Sequence, residues 1–290
     1  MLRFRKSWCV IVGTMVLSLF TIGSANGREK NSSGSNGRSA KLAGVLESAR
    51  KELQTANLSA KEIELRLKII ENAATVKSYY PHADGGRPET RNSKFWVQND
   101  DGSYVPRESP TESIKDLWRT TSGIRCRKLS ALVMIKAIID VADAKQLAQL
   151  DNLLRGKVIP NDMPNGGVGI LFEQPNPKQG KIFQNDEFLP GDEVWFNNPY
   201  FARLSRKLQS KYRGQEGHHV FYDGAGKVMD MYNRVPIPIE DFQQTFLEWG
   251  SVKTVAKNEK RTPKADEFQI KTVRRVMLDR DRRIDSALAR

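Results

Sequence analysis

Arg125-Cys126-Arg127-Lys128-Leu129-Ser130-Ala131-Leu132-Val133-Met134-Ile135-Lys136-Ala137-Ile138-Ile139-Asp140-Val141 is the stretch on which the fold turns. Its apolar residues fall nearly all round a helical turn rather than in one stripe. A helix of that kind is buried at the centre of a domain. The helix is predicted to start at Cys126, because Thr120 to Gly123 break the one before it.

The chain on either side sets the class. Upstream, Ser109-Pro110-Thr111-Glu112 opens a helix with an N-cap serine, a first-turn proline and a glutamate at the third position. Ile114, Leu117 and Trp118 form its expected buried face. Residues 81–107 are rich in Gly, Asn, Asp and Pro and read as loop, with a hairpin around Asn99-Asp100-Asp101-Gly102. Further upstream, Leu42, Val45, Leu46, Ala49 and Leu53 recur at helical spacing. Ser59 and Glu62 cap a second helix, with an inner face of Ile63, Leu67, Ile70 and Ala74. These two helices read as an accessory hairpin. Downstream of the central helix, 144–154 reads as a short helix. Strands are predicted at 168–172, 193–196, 218–222 and 227–232, the last two flanking Asp223-Gly224-Ala225-Gly226. A helix over 239–249 is expected to stop at Gly250 as its C-cap. Helices first and antiparallel strands after them make an α+β order, with the central helix packed on an antiparallel sheet.

The ends differ in character. Arg3, Arg5 and Lys6, the apolar run from Val10 to Ile22, and Gly23, Ser24, Ala25 and Gly27 are laid out as a secretory signal peptide over 1–27. Residues 28–39 read as a Gly/Ser/Asn linker. The helical hairpin then occupies 40–78 and the main domain 79–250. Residues 251–290 carry twelve Lys/Arg against six Asp/Glu, about +6 of a net charge of +13. That segment reads as a solvated basic tail with an exposed helix over 271–290, or as an adhesive for an anionic surface such as a cell envelope. Nucleic acid is not expected as a partner: export argues against it, and no aromatics interleave with the basic residues.

The two cysteines are Cys9 and Cys126, and Cys9 lies inside the signal. The exported chain therefore carries one thiol, either a buried bystander or a reactive group. The free N–H groups and the dipole at a helix N-terminus favour a thiolate, and Arg125, Arg127 and Lys128 flank Cys126. A cysteine nucleophile also needs a base and an orienting partner. The histidines are His82, in a loop, and His218 and His219, which open a strand. Adjacent strand residues face opposite sides, so one of the pair can face the Cys126 helix. Asp230 lies on the partner strand, and Glu216 just before the histidines is a second carboxylate within reach.

Leu189-Pro190-Gly191-Asp192-Glu193-Val194-Trp195-Phe196-Asn197-Asn198-Pro199 is similar to the Pro-Gly-Asp-x-Val-Tyr-Phe-x-Asn-Pro signature of the bacterial, spore-coat type protein-glutamine γ-glutamyltransferases. Ser113-Ile114-Lys115-Asp116-Leu117, ahead of Cys126, also resembles that family. The resemblance spans about residues 90 to 250. It implies a papain-like fold related to NlpC/P60 enzymes, and a thioester formed by Cys126 on a glutamine carboxamide. It further implies transfer to a lysine amine of a second protein, with no metal or organic cofactor. The family's Gly-Glu-Asn glutamate matches Glu216 in Gly214-Gln215-Glu216-Gly217, with one residue inserted. Where the family has Gly-His-Gly, this chain has Met229-Asp230-Met231. The NlpC/P60 pattern instead places His218 at the strand-one histidine and Asp230 at the third polar position. The candidate site is therefore Cys126 with Glu216, His218 and Asp230. A cysteine hydrolase acting on cell-wall peptide or amide bonds, and a non-catalytic envelope-binding protein, are the alternative functions.

Overall fold

The computed structural model describes residues 34–79, 95–98, 104–107, 109–118, 122–123, 126–155, 172–173, 175, 183 and 185–276. Residues 1–33 (which include the stretch read as a signal peptide), His82 and residues 277–290 lie outside them. In chain order the elements are α1 (Gly34–Thr55), α2 (Ala60–Thr75), β1 (Ser78–Tyr79), β2 (Trp96–Gln98), β3 (Tyr104–Pro106), α3 (Pro110–Leu117), β4 (Ser122–Gly123), α4 (Cys126–Val141) and α5 (Ala144–Leu154). They continue with β5 (Phe172–Glu173), β6 (Glu193–Asn197), α6 (Arg206–Lys211), β7 (Gly217–Gly224), β8 (Lys227–Met229), β9 (Pro236–Pro238), α7 (Ile239–Thr245), α8 (Gly250–Glu259) and β10 (Ile270–Val276).

The α+β class is as the sequence predicts, and so is the papain-like plan of a central helix on an antiparallel sheet. Among the described residues the sheet has six strands in the order β5-β10-β6-β7-β8-β9, all neighbours antiparallel. Leu129, Ala131, Leu132, Val133, Met134, Ile135 and Ala137 of α4 are all buried, as an all-round apolar helix requires. They share one core with Leu65, Ile69 and Ala73 of α2 and with Phe221, Met229 and Met231. On the opposite face of the sheet, Val194, Phe196, Val220, Tyr222 and Val228 pack on Phe242, Phe246, Val252, Val255 and Phe268. β2 and β3 pair antiparallel as a hairpin there requires, residues 99–102 themselves lying outside the described residues, and the Ser109 cap of α3 accepts from Glu112 N.

Four expectations are corrected. First, α2 belongs to the core rather than to an accessory layer. Its Ser59 cap forms as expected, but Leu65, Arg66, Ile69 and Ala73 are buried along with Leu67 and Ile70. The fully buried Arg66 bonds Glu62 (2.8 Å), Asp192 (2.9 Å), the Pro190 carbonyl (3.3 Å) and the Val276 carbonyl (3.2 Å). Second, α1 begins at Gly34, inside the segment read as linker. Third, Gly250 opens α8 instead of closing the previous helix, which runs as α7 and a 3-10 turn over Phe246–Glu248. A Cβ on Gly250 would stand 2.6 Å from the Tyr212 ring, so close packing is the reason for glycine there.

Fourth, the chain beyond 250 is not a tail as far as residue 276. Val252 and Val255 of α8 are buried, and β10 sits inside the sheet between β5 and β6. Arg274 and Arg275 look solvated in the sequence, yet they are paired with the buried carboxylates of Glu193 and Asp192.

Candidate active site

Cys126 is the first residue of α4, is buried, and carries a free thiol. Its partner comes from β7. His218 Nε2 lies 3.2 Å from Asp230 Oδ1, which leaves Nδ1 available to the sulfur. Asp230 directly follows β8 and also accepts from the Tyr232 amide (3.2 Å) and the Asn233 side chain (2.6 Å). The His218 ring is enclosed by the rings of Tyr232, Phe242 and Trp249.

The electrostatics couple the three residues. Burial is the largest influence on His218 and pulls its pKa down. The Cys126 charge and hydrogen bonds to Asp230 and Cys126 outweigh it and push the pKa up to about 10. Burial pushes Asp230 up, but His218 and the donors from Tyr232 and Asn233 bring it below the ordinary carboxylate value. The set is therefore an imidazolium at neutral pH, placed between an ionised carboxylate and the sulfur.

His219 belongs to a second cluster. Strand alternation puts it with Phe221 on the side of β7 that packs on α4. Its Nδ1 meets the Glu193 carboxylate, which also binds the Arg274 guanidinium and the Ser130 hydroxyl (3.0 Å). Ser130 is one turn along α4 from Cys126. Burial opposes ionisation of Glu193, yet the Arg274 charge and the His219 contact hold it well below the usual carboxylate range. Burial drives His219 below its ordinary value, with Arg274 adding to the effect against the attraction of Glu193. We therefore take Glu193 as ionised and His219 as neutral. An ionised carboxylate only accepts, so Nδ1–H is the donor.

The signature motif turns out to be scaffold. Asp192 receives Arg66 and Arg275 and accepts the Leu189 amide (2.9 Å). Gly191 has φ +88°, and a Cβ there would come within 3.0 Å of the Arg66 carbonyl oxygen. Asn198 ties the strand bearing His218 to its surroundings. Its side chain donates to the Gln215 carbonyl (2.7 Å) and Ser251 Oγ (3.0 Å), and its amide donates to the Glu216 carbonyl (2.9 Å).

Cys126, His218 and Asp230 are thus brought together, whereas Glu216 is not. Glu216 is exposed at the turn before β7, and no side-chain hydrogen bond or ion pair holds it among the described residues. Glu193 and Arg274 are the residues that sequence reasoning passed over. The β-branched residues Ile270, Thr272, Val273 and Val276 are the signal that would have found the strand bearing Arg274. Among the described residues no group of three or more His, Cys, Asp or Glu is placed to hold a metal ion.

Comparison with known proteins adds a family. A protein-glutamine γ-glutamyltransferase from Halalkalibacterium halodurans is 25% identical over 146 residues, which is 48% of this chain and 46% of that protein. The matched stretch thus spans about half the length of that relative. A solved transglutaminase from Geobacillus stearothermophilus, without its C-terminal extension, superposes with a TM-score of 0.53 at 16% identity. That superposition covers 79% of this chain and 94% of the other, and at such identity it speaks for the fold. The family model for protein-glutamine γ-glutamyltransferase matches residues 30–226, which takes in α1 and α2 as well as the segment from 90 onward. With that match over most of its length, the chain belongs to the protein-glutamine γ-glutamyltransferase family.

Proposed function

We propose that this protein is an exported transglutaminase that joins protein glutamine and lysine side chains through a thioester on Cys126. The observation that carries the reading is the convergence of Cys126, His218 and Asp230 at the head of a buried helix. Family membership supports the choice of a glutamine carboxamide as acyl donor. In the first half-reaction the Cys126 sulfur attacks the carboxamide carbon. The C–N bond breaks, and His218 gives its proton to the departing ammonia. Asp230 orients the ring and stabilises its charged form. In the second half-reaction a primary amine attacks the thioester and the C–S bond breaks. The leader over residues 1–27 supports export.

The test is incorporation of a fluorescent primary alkylamine into a glutamine-containing protein, with ammonia release, by the purified full-length chain. Transfer that Cys126→Ser abolishes is the expected result. Ammonia release without amine incorporation would point to the hydrolytic alternative, in which water takes the acyl group. Neither signal from a protein whose Cys126 reacts with iodoacetamide would overturn the transferase reading. Fractionation of cells expressing the full chain tests export. Recovery of the unprocessed chain in the cytoplasm would refute it.

A further inference from the structure

Proton bookkeeping for the proposed transfer leaves one proton without an acceptor, and the structure holds a group placed to take it. An alkylammonium has three protons on nitrogen, and the amide it becomes has one. Two must leave. His218, neutral after protonating ammonia, takes one as the C–S bond breaks, which restores the imidazolium beside the sulfur. The other must go before attack, because a protonated amine has no lone pair to offer.

We propose that His219 is the second base of the site: its free Nε2 accepts a hydrogen bond and then a proton from the primary ammonium of the acyl acceptor. This rests on the transferase reading above. Several observations support it. His219 Nδ1–H is committed to Glu193, which fixes the tautomer and leaves a lone pair on Nε2. That nitrogen has no partner among the described residues. Glu193 is fully buried while the His219 side chain is 14% exposed, so the ring reaches the surface where its carboxylate partner does not. The Glu193 carboxylate is clamped by Arg274 and by Ser130 Oγ at 3.0 Å, one helical turn from Cys126. Residues so spaced on a helix are neighbours, with Cβ atoms about 5–6 Å apart. The Cys126 charge is among the influences that raise the Arg274 pKa, in keeping with a cluster at the same end of α4. Once protonated, His219 is an imidazolium paired with the Glu193 carboxylate, and it passes its proton to water between turnovers.

The experiment compares two acyl acceptors on the same glutamine substrate at pH 7: an alkylamine, which is protonated, and hydroxylamine, which is already uncharged and needs no prior deprotonation. In His219→Gln the ratio of alkylamine to hydroxylamine transfer is expected to fall by about a hundredfold, within the range of general-base effects. His219→Ala should show the same fall, and added imidazole should restore its alkylamine transfer. A purely structural role would lower both acceptors together. An equal loss for both, no change in the ratio, or no imidazole rescue in a variant with a native circular dichroism spectrum would overturn the proposal. If the wild-type chain transfers neither amine, it is the transferase reading that fails, and the second base falls with it.

Discussion

Replacing Cys126 by serine takes away both contributions of the sulfur to the His218 proton, its charge and its hydrogen bond, while burial goes on opposing that proton. The His218 pKa in Cys126→Ser is therefore expected well below the value of about 10 in the native site. NMR titration of the labelled ring reads this directly, and an unchanged value would mean that Asp230 alone holds the proton. The same shift has a sign for stability. A pKa raised from 6.5 to about 10 on folding gives stability that is fully present below 6.5 and is lost as pH rises toward 10. The catalytic counterpart is His218→Ala, expected to lower amine transfer by about 10²–10⁴-fold. Glu216→Ala is expected to change it less than about twofold, as for a surface substitution away from the chemistry. A large loss in Glu216→Ala would return that residue to the site. At this scale the place of Cys126 at the head of α4 was legible, from the break over Thr120 to Gly123 and the apolar run that follows. The choice between His218 and His219 was not. Alternation correctly separates the two rings, but both find carboxylates, and composition cannot say which carboxylate lies beside the sulfur.

Elements meet through buried charge that hydrophobic patterning does not reveal. Arg66 on α2 is enclosed by Glu62, Asp192 and two carbonyls from β10 and the loop before β6. Removing one partner of such a network strands the others. Arg66→Ala should cost about 3–5 kcal/mol in chemical denaturation. A cost below about 1 kcal/mol would mean that water solvates Asp192 and Glu62 after the change. The Ser59 cap and the apolar spacing made α2 visible as a helix. They suggested a single inner face, however, because an arginine counts as polar whether solvated or caged. A second junction joins α1 to the turn between β7 and β8, where Glu52 accepts the Ala225 amide at 3.0 Å. Asp223 is buried there, and one of its carboxylate oxygens has no partner among the described residues. Burial, reinforced by Glu52 and only partly offset by Lys227 and a backbone donor, raises its pKa to about 7. A folded-state pKa above 3.8 makes ionisation oppose folding, so stability declines from pH 3.8 to about 7. Asp223→Asn, neutral throughout, should therefore raise Tm relative to the wild type at pH 8 and not at pH 4. Equal shifts at the two pH values would exclude titration of Asp223 as the cause.

At the scale of the molecule the question is where the domain ends. Charge density places the boundary at 250, because Lys and Arg outnumber Asp and Glu two to one over residues 251–290. Physically, α8 supplies Val252 and Val255 to the core on one face of the sheet, and β10 closes the gap between β5 and β6. A chain stopped after Gly250 would expose the edge of β6 and leave Glu193, Asp192 and Arg66 with unsatisfied bonding. Unpaired strand edges invite aggregation, and unpaired buried charges are strongly destabilising. Such a truncation is expected to be insoluble or to show no cooperative thermal transition by circular dichroism. The family model stops at 226, short of this strand, which makes the experiment informative. If the shortened chain melts cooperatively with a native spectrum, β10 is an accessory strand, and the Arg274–Glu193 pair does not organise the site. If it fails, the residues that a charge count sets aside as a tail hold the carboxylate beside His219, and through Ser130 they reach the helix that presents Cys126.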